Sequence, residues 1–197
     1  MKISALRAGL AVLLSLSSSV VLAHPGHAGA IADGILHPLT GLDHLLAMAG
    51  IGLWSARQTG HARWLIPGSF LALTAIGAWL GTVGHTPTFT EQGIAASVFL
   101  IGLLISFPVR FPANISALAG MLIAGVFALF HGFAHGTEIP DSAGAWQFAS
   151  GFILTTITLQ AIGFFVGRTL TKNEKLLRIG GAAIAASGGL LAFQGLH

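Results

Sequence analysis

The sequence predicts an all-α, polytopic membrane helix bundle, and three observations carry that prediction. Of its 197 residues, 54% are hydrophobic and only 8% are charged, against about 25% charged in an ordinary soluble domain. After an N-terminal leader, apolar stretches recur six times, each close to the roughly 20 residues that a helix needs to cross a bilayer. Nine Lys and Arg residues occur; Lys2 and Arg7 lie in the leader, six fall in alternate connections between the apolar stretches, and Arg178 lies just inside the last stretch, on the same side. This composition excludes a soluble globular enzyme, a disordered tail and a DNA-binding module. The net charge of +3 comes from a few scattered groups, so no nucleic-acid partner is expected. The absence of cysteine excludes a disulfide scaffold, a zinc ribbon and any thiolate metal site.

Residues 1–23 read as a signal peptide. Lys2 and Arg7 form a positive n-region, Ala8 to Leu16 an apolar h-region, and Val21-Leu22-Ala23 a small-residue cleavage site. Serines at 15, 17, 18 and 19 weaken the alternative, an uncleaved first helix. The mature chain then begins His24-Pro25-Gly26-His27 and forms a single six-helix transmembrane domain over 24–197. In both cases residue 24 emerges on the far side of the membrane.

Six spans are predicted, at about 35–55, 64–82, 92–108, 114–137, 147–167 and 177–195. With residue 24 outside, the inner connections hold Arg57, Arg63, Arg110, Arg168, Lys172 and Lys175, with Arg178 just inside the last helix. The outer segments hold Asp33, Glu91, Glu138 and Asp141 and no Lys or Arg. The positive-inside rule therefore predicts a multi-pass protein of the bacterial cytoplasmic membrane with both mature termini in the periplasm. All four tryptophans fall near span ends: Trp54 and Trp64 inner, Trp79 and Trp146 outer. The patterns Gly77-x-x-x-Gly81 and Gly163-x-x-x-Gly167 predict close helix packing rather than a wide pore.

The polar residues inside these spans need partners or a wet cavity, because a charge at mid-membrane costs about 2.5–3.5 kcal/mol even on the lenient insertion scale. The first span carries His37, Asp43 and His44. On one continuous helix His37, Thr40, Gly41, His44 and Met48 share a face, while Asp43 lies about 100° round from His44. From there it can join the same site or orient the imidazole. The fourth span ends with His131, His135 and Glu138 at i, i+4 and i+7, one stripe of two imidazoles and a carboxylate. Such nitrogen and oxygen donors bind divalent transition-metal ions. If the two spans are neighbours, Asp43 and His44 lie level with His131, and His37 lies level with His135 and Glu138. The result is a two-tier ladder descending from the outer face. The bland alternative is interhelical hydrogen bonding, worth about 0.5–2 kcal/mol per pair; four histidines and two carboxylates in two clusters favour a metal site. His24, His27, His85 and Glu91 are weaker candidates for metal access from outside. His61 and His197 read as surface residues.

The string HPLTGLDHLLAMAGIGLW together with FHGFAHGTEIP resembles the HupE/UreJ family of membrane proteins, over essentially the whole chain. The resemblance implies His37, Asp43 and His44 as the first motif and His131, His135 and Glu138 as the second. It implies a role in nickel supply to hydrogenase and urease, as a permease or accessory protein and not an enzyme. It leaves the metal open between Ni²⁺, Co²⁺ and another ion. Imidazole and carboxylate donors suit Ni²⁺, Co²⁺ and Zn²⁺, whereas two mature methionines and no cysteine disfavour a Cu(I) path.

Ni²⁺ permeation is the leading expectation. No Gly-x-x-x-x-Gly-Lys-[Ser/Thr] loop occurs, so ATP is not expected to drive it; the membrane potential supplies about 4.6 kcal/mol per 100 mV for an inward divalent cation. Two other readings stay open: an intramembrane metal-dependent hydrolase, disfavoured by the lack of His-Glu-x-x-His, and a metal-binding sensor or accessory protein that transports nothing. The expected partners are a divalent ion and the lipid bilayer, with a metallochaperone or a second copy of the chain as further candidates.

Overall fold

Small residues spaced three or four apart decide how the helices meet. In the helix Ala62–Thr82 the buried positions are Ala62, Ile66, Phe70, Thr74, Gly77 and Gly81, a single stripe at helical spacing. Its partner, Ser116–Glu138, buries Gly120, Ala124, Ala128, His131, Gly132, His135 and Gly136. A Cβ at Gly77 would lie 3.0 Å from the Cα of Gly132, and one at Gly81 would lie 2.9 Å from the Cα of Gly136. The two backbones touch along this line, as the glycine spacing predicts.

The computed structural model describes residues 29–107, 109, 115–139 and 144–195. Seven helices form among them: α1 Ala30–Thr40, α2 Leu42–Ser55, α3 Ala62–Thr82, α4 Thr90–Ser106, α5 Ser116–Glu138, α6 Ala145–Leu170 and α7 Glu174–Gln194. No strand occurs among the described residues. The signal peptide, His24, His27, Arg110, Asp141 and His197 lie outside them. Helices α3, α5, α6 and α7 are long and apolar enough to cross a membrane, while α4 is an apolar helix of 17 residues.

The first span departs from the expected single helix. It starts earlier, at Ala30, and breaks at Gly41, which is extended at φ −93°, ψ 118°. A Cβ on residue 41 would sit 2.8 Å from Oδ1 of Asp43 and 2.9 Å from Nδ1 of His44. Only glycine leaves room for that pair to fold back over the break.

The helices associate in three close pairs: α3 with α5, α4 with α7, and the broken span α1–α2 with α6. In the last pair Gly34, Gly52, Gly151 and Gly163 each face partner backbone. Helix α2 also contacts α3, α4 and α7 and so lies inside the bundle. Its Ala47, Met48 and Ile51 are fully buried with Ile66, Phe70, Val98, Ile101 and Ala128. The outward faces carry Leu118, Leu122, Val126, Leu154, Ile162, Phe165, Ile179 and Leu190, all exposed. Apolar surface on this scale is foreign to a soluble monomer and suits lipid.

Trp64, Trp79 and Trp146 are exposed, whereas Trp54 is only 4% exposed. Trp54 lies in the last turn of α2, at the expected span end, but faces the bundle. Its indole packs in the core, with Cη2 3.8 Å from where a Cβ at Gly120 would lie, an ordinary contact, whereas Ile66 is the side chain that Gly120 leaves room for.

Candidate metal centre

The break at Gly41 tilts two histidines of the first span toward each other. His37 closes the last turn of α1 and His44 opens α2, and their ring centroids are 6.4 Å apart. On an unbroken helix seven residues span about 10 Å, so the ladder is more compressed than the sequence predicts. The shared face expected of His37, Thr40, Gly41, His44 and Met48 is interrupted at residue 41. Met48 instead sits in the core, with its Sδ 3.5 Å from the Thr156 hydroxyl, which donates to the Phe152 carbonyl at 2.9 Å.

From the other side, α5 presents His131 and His135 one turn apart. The His135 ring lies 4.3 Å from that of His44 and 4.7 Å from that of His37, centroid to centroid; the His131 ring lies 5.0 Å from that of His44. Glu138 completes the stripe, with Oε2 2.9 Å from Nε2 of His37 and 3.4 Å from Nδ1 of His135. One donor atom from each of His37, His135 and Glu138 lies within 4.8 Å of the others, a spacing that could hold one metal ion. The structure therefore brings His37, His44, His131, His135 and Glu138 into one cluster.

The cluster runs from the surface inward. The Glu138 side chain is 51% exposed and His37 27%, while His135 is 2% exposed and His131 fully buried. Aromatic rings wall the inner part: Phe152 stands 4.3 Å from His135 and Phe70 5.8 Å from His131. Three deep ring nitrogens, His44 Nε2, His131 Nδ1 and His135 Nε2, are buried without a hydrogen-bond partner, while His135 Nδ1 faces the Glu138 carboxylate. Buried polar atoms normally find partners, and neutral imidazole lone pairs converging in an apolar wall are what a divalent cation would satisfy.

Asp43 plays a different part in this geometry. Its Oδ1 accepts from the backbone N–H of His44 at 2.8 Å and lies 2.7 Å from the Nδ1 of the same residue. It engages the imidazole through Nδ1 and leaves Nε2 buried without a partner, in a ring that lies against those of His131 and His135. Asp43 also borders a cleft of about 260 Å³ lined by Thr88, Glu91, Gln92 and the end of α7 at Leu191 and Gly195. Glu91 thus shares a cleft with Asp43. His85, in contrast, is exposed in the connection after α3 and does not line that cleft. His61 is exposed at the N-cap of α3.

Sequence reasoning passed over Ser97. Its Oγ stands 2.9 Å from Nε2 of His131, and the side chain is fully buried on α4. The aromatic wall was passed over as well, since phenylalanine in an apolar helix carries no signal. A serine three residues after an isoleucine in a span is equally unremarkable by itself.

A family model described as HupE / UreJ protein matches residues 11–191. The chain belongs to the HupE/UreJ family. One curated member, Protein HupE of Rhizobium leguminosarum bv. viciae, is 35% identical over 176 residues, which cover 88% of this chain and 90% of that protein. No solved structure matches the chain. The family match contains the first six described helices and ends three residues short of the end of α7, so the broken first span and the histidines of α5 both lie within the shared region.

Proposed function

We propose that this HupE/UreJ member is a permease that passes a divalent transition-metal cation, Ni²⁺ foremost, inward across the cytoplasmic membrane to supply hydrogenase or urease maturation. The observation that carries the reading is the cluster of buried, unpartnered imidazole nitrogens on α2 and α5, graded from an exposed carboxylate to a fully buried histidine. Interhelical bonding pairs His37 with Glu138 and His131 with Ser97 but leaves His44 Nε2, His131 Nδ1 and His135 Nε2 without partners, which it alone does not account for. His37, His135 and Glu138 offer an outer set of donors, and His44, His131 and His135 an inner one. His135 belongs to both and could hand an ion from one to the other. Co²⁺ and Zn²⁺ suit the same donors. The deciding experiment is flux: purified protein in liposomes with a metal-sensitive dye inside should show Ni²⁺ influx under an inside-negative potential. Binding without flux would support an accessory or sensor role instead.

The proposed topology has six spans, with α1 and α2 together forming the first, and both mature termini in the periplasm. Supporting it, Arg57 at the end of α2 binds Glu174 at the start of α7 at 2.7 Å, and Arg178 lies 3.7 Å from the same carboxylate. Basic residues distant in sequence thus gather at the end of the bundle opposite Glu138. Reporter fusions after Arg57, Arg110 and Lys172 should report cytoplasm, and one after His85 should report periplasm. A periplasmic signal from any of the first three would reject this topology.

A further inference from the structure

We propose that Ser97 fixes the tautomer of His131, so that this imidazole keeps its proton on Nε2 and presents the Nδ1 lone pair to the ion. The proposal deepens the permease reading and rests on it for the identity of the ion, but the tautomer itself can be read without any metal.

A serine hydroxyl has one proton to give and two lone pairs to offer. Ser97 Oγ lies 2.7 Å from the carbonyl oxygen of Ile94 and 2.9 Å from Nε2 of His131. The carbonyl can only accept. The Ser97 proton therefore goes to Ile94, since otherwise two oxygens would face each other at 2.7 Å with no hydrogen between them. The hydroxyl is then an acceptor toward the imidazole, and His131 must donate from Nε2. A neutral imidazole that donates from one nitrogen carries its lone pair on the other. That other atom, Nδ1, is fully buried and has no hydrogen-bond partner.

Back-bonding to the carbonyl three or four residues earlier is ordinary for a serine in a helix. It explains the bond to Ile94 and leaves the bond to His131 unexplained. The opposite tautomer would put an N–H donor at Nδ1, buried where the structure offers no acceptor. A lone pair there can be satisfied by a cation, whereas a proton there would repel one.

The same logic acts on the facing ring through the other nitrogen. Asp43 Oδ1, an acceptor when ionised, accepts a hydrogen bond from the Nδ1–H of His44, and a neutral ring protonated there has its lone pair on Nε2. His44 thus presents Nε2 and His131 presents Nδ1, from rings 5.0 Å apart and nearly perpendicular at 89°. One carboxylate and one hydroxyl, from α2 and α4, prepare two nitrogens for one ion. Ser97 is a positioning residue, acting on the ion only through His131.

The test uses full-length protein in lipid with ¹⁵N-labelled histidine and no metal. The His131 signal is assigned by its loss in His131→Ala. The wild-type spectrum should show Nε2 protonated and Nδ1 bare. Ser97→Ala, which removes only a hydroxyl, should yield a mixture of tautomers and raise the Ni²⁺ concentration for half-maximal flux about 10-fold or more, the range found for loss of a partner behind a ligand. Maximal flux and protein level in the membrane should stay near wild type. Ser97→Thr, which keeps the hydroxyl, should restore both tautomer and half-saturation. A wild-type His131 protonated on Nδ1, or a Ser97→Ala spectrum identical to wild type, would overturn the proposal. A changed tautomer with unchanged half-saturation would overturn the positioning role. Failure of the permease reading would show separately, as absent Ni²⁺ flux in the wild type, and would leave the spectra decisive for the tautomer.

Discussion

Nickel uptake is expected to be abolished in His131→Ala and, independently, in His44→Ala, with both proteins still present in the membrane. Each imidazole supplies one of the few deep, unpartnered nitrogens of the cluster. His131 is fully buried, and its neighbours on the ion side are His44, at 5.0 Å between ring centroids, and the Phe70 ring at 5.8 Å. Truncation leaves an apolar wall and one donor fewer where a desolvated divalent ion has to rest. The loss should exceed the roughly 10–100-fold that follows when only an outer partner of a ligand is removed. His61→Ala, at an exposed position where the chain enters α3, should take up nickel like wild type. Uptake by nickel-limited cells, normalised to membrane protein, measures this directly. Survival of uptake in both deep substitutions would end the reading of the cluster as an ion path.

The second large effect is expected at Asp43. Asp43→Ala frees the His44 ring from the only side-chain partner it has in hydrogen-bond range among the described residues. Uptake should fall about 10–100-fold at limiting nickel. Asp43→Asn keeps an oxygen that can accept from His44 but loses the charge, so it should fall between Ala and wild type. The measurement is the nickel concentration at half-maximal flux in liposomes. Wild-type half-saturation in Asp43→Ala would show that His44 needs no orienting partner.

Much of this architecture was legible in the sequence because the membrane leaves few options for the backbone. Apolar length predicted the long helices, and the stripe His131, His135, Glu138 followed from helical periodicity and proved to lie on one face. Gly77-x-x-x-Gly81 and Gly163-x-x-x-Gly167 announced close approaches without naming partners, which only the fold could supply. Two features escaped for physical reasons. The break at Gly41 lies between polar residues that already drew attention as candidate ligands, and a single extended glycine leaves no periodic trace. Ser97 escaped because its role depends on a ring 34 residues away in sequence.

The break at Gly41 has an electrical consequence. A helix that starts afresh inside the bundle brings its own aligned peptide dipoles, equivalent to about half a positive charge at its first turn. That end of α2 stands beside the histidine cluster, where it would oppose any cation. Asp43 occupies this turn and takes the backbone N–H of His44 onto its carboxylate, which covers one of the exposed amide protons and cancels the local field. The end of α1, with its outward carbonyls, contributes the opposite sign on the outer side of the same break. A single discontinuity in the chain thereby sets a polarity across the cluster, and one carboxylate decides whether its inner side is tolerable to a doubly charged ion.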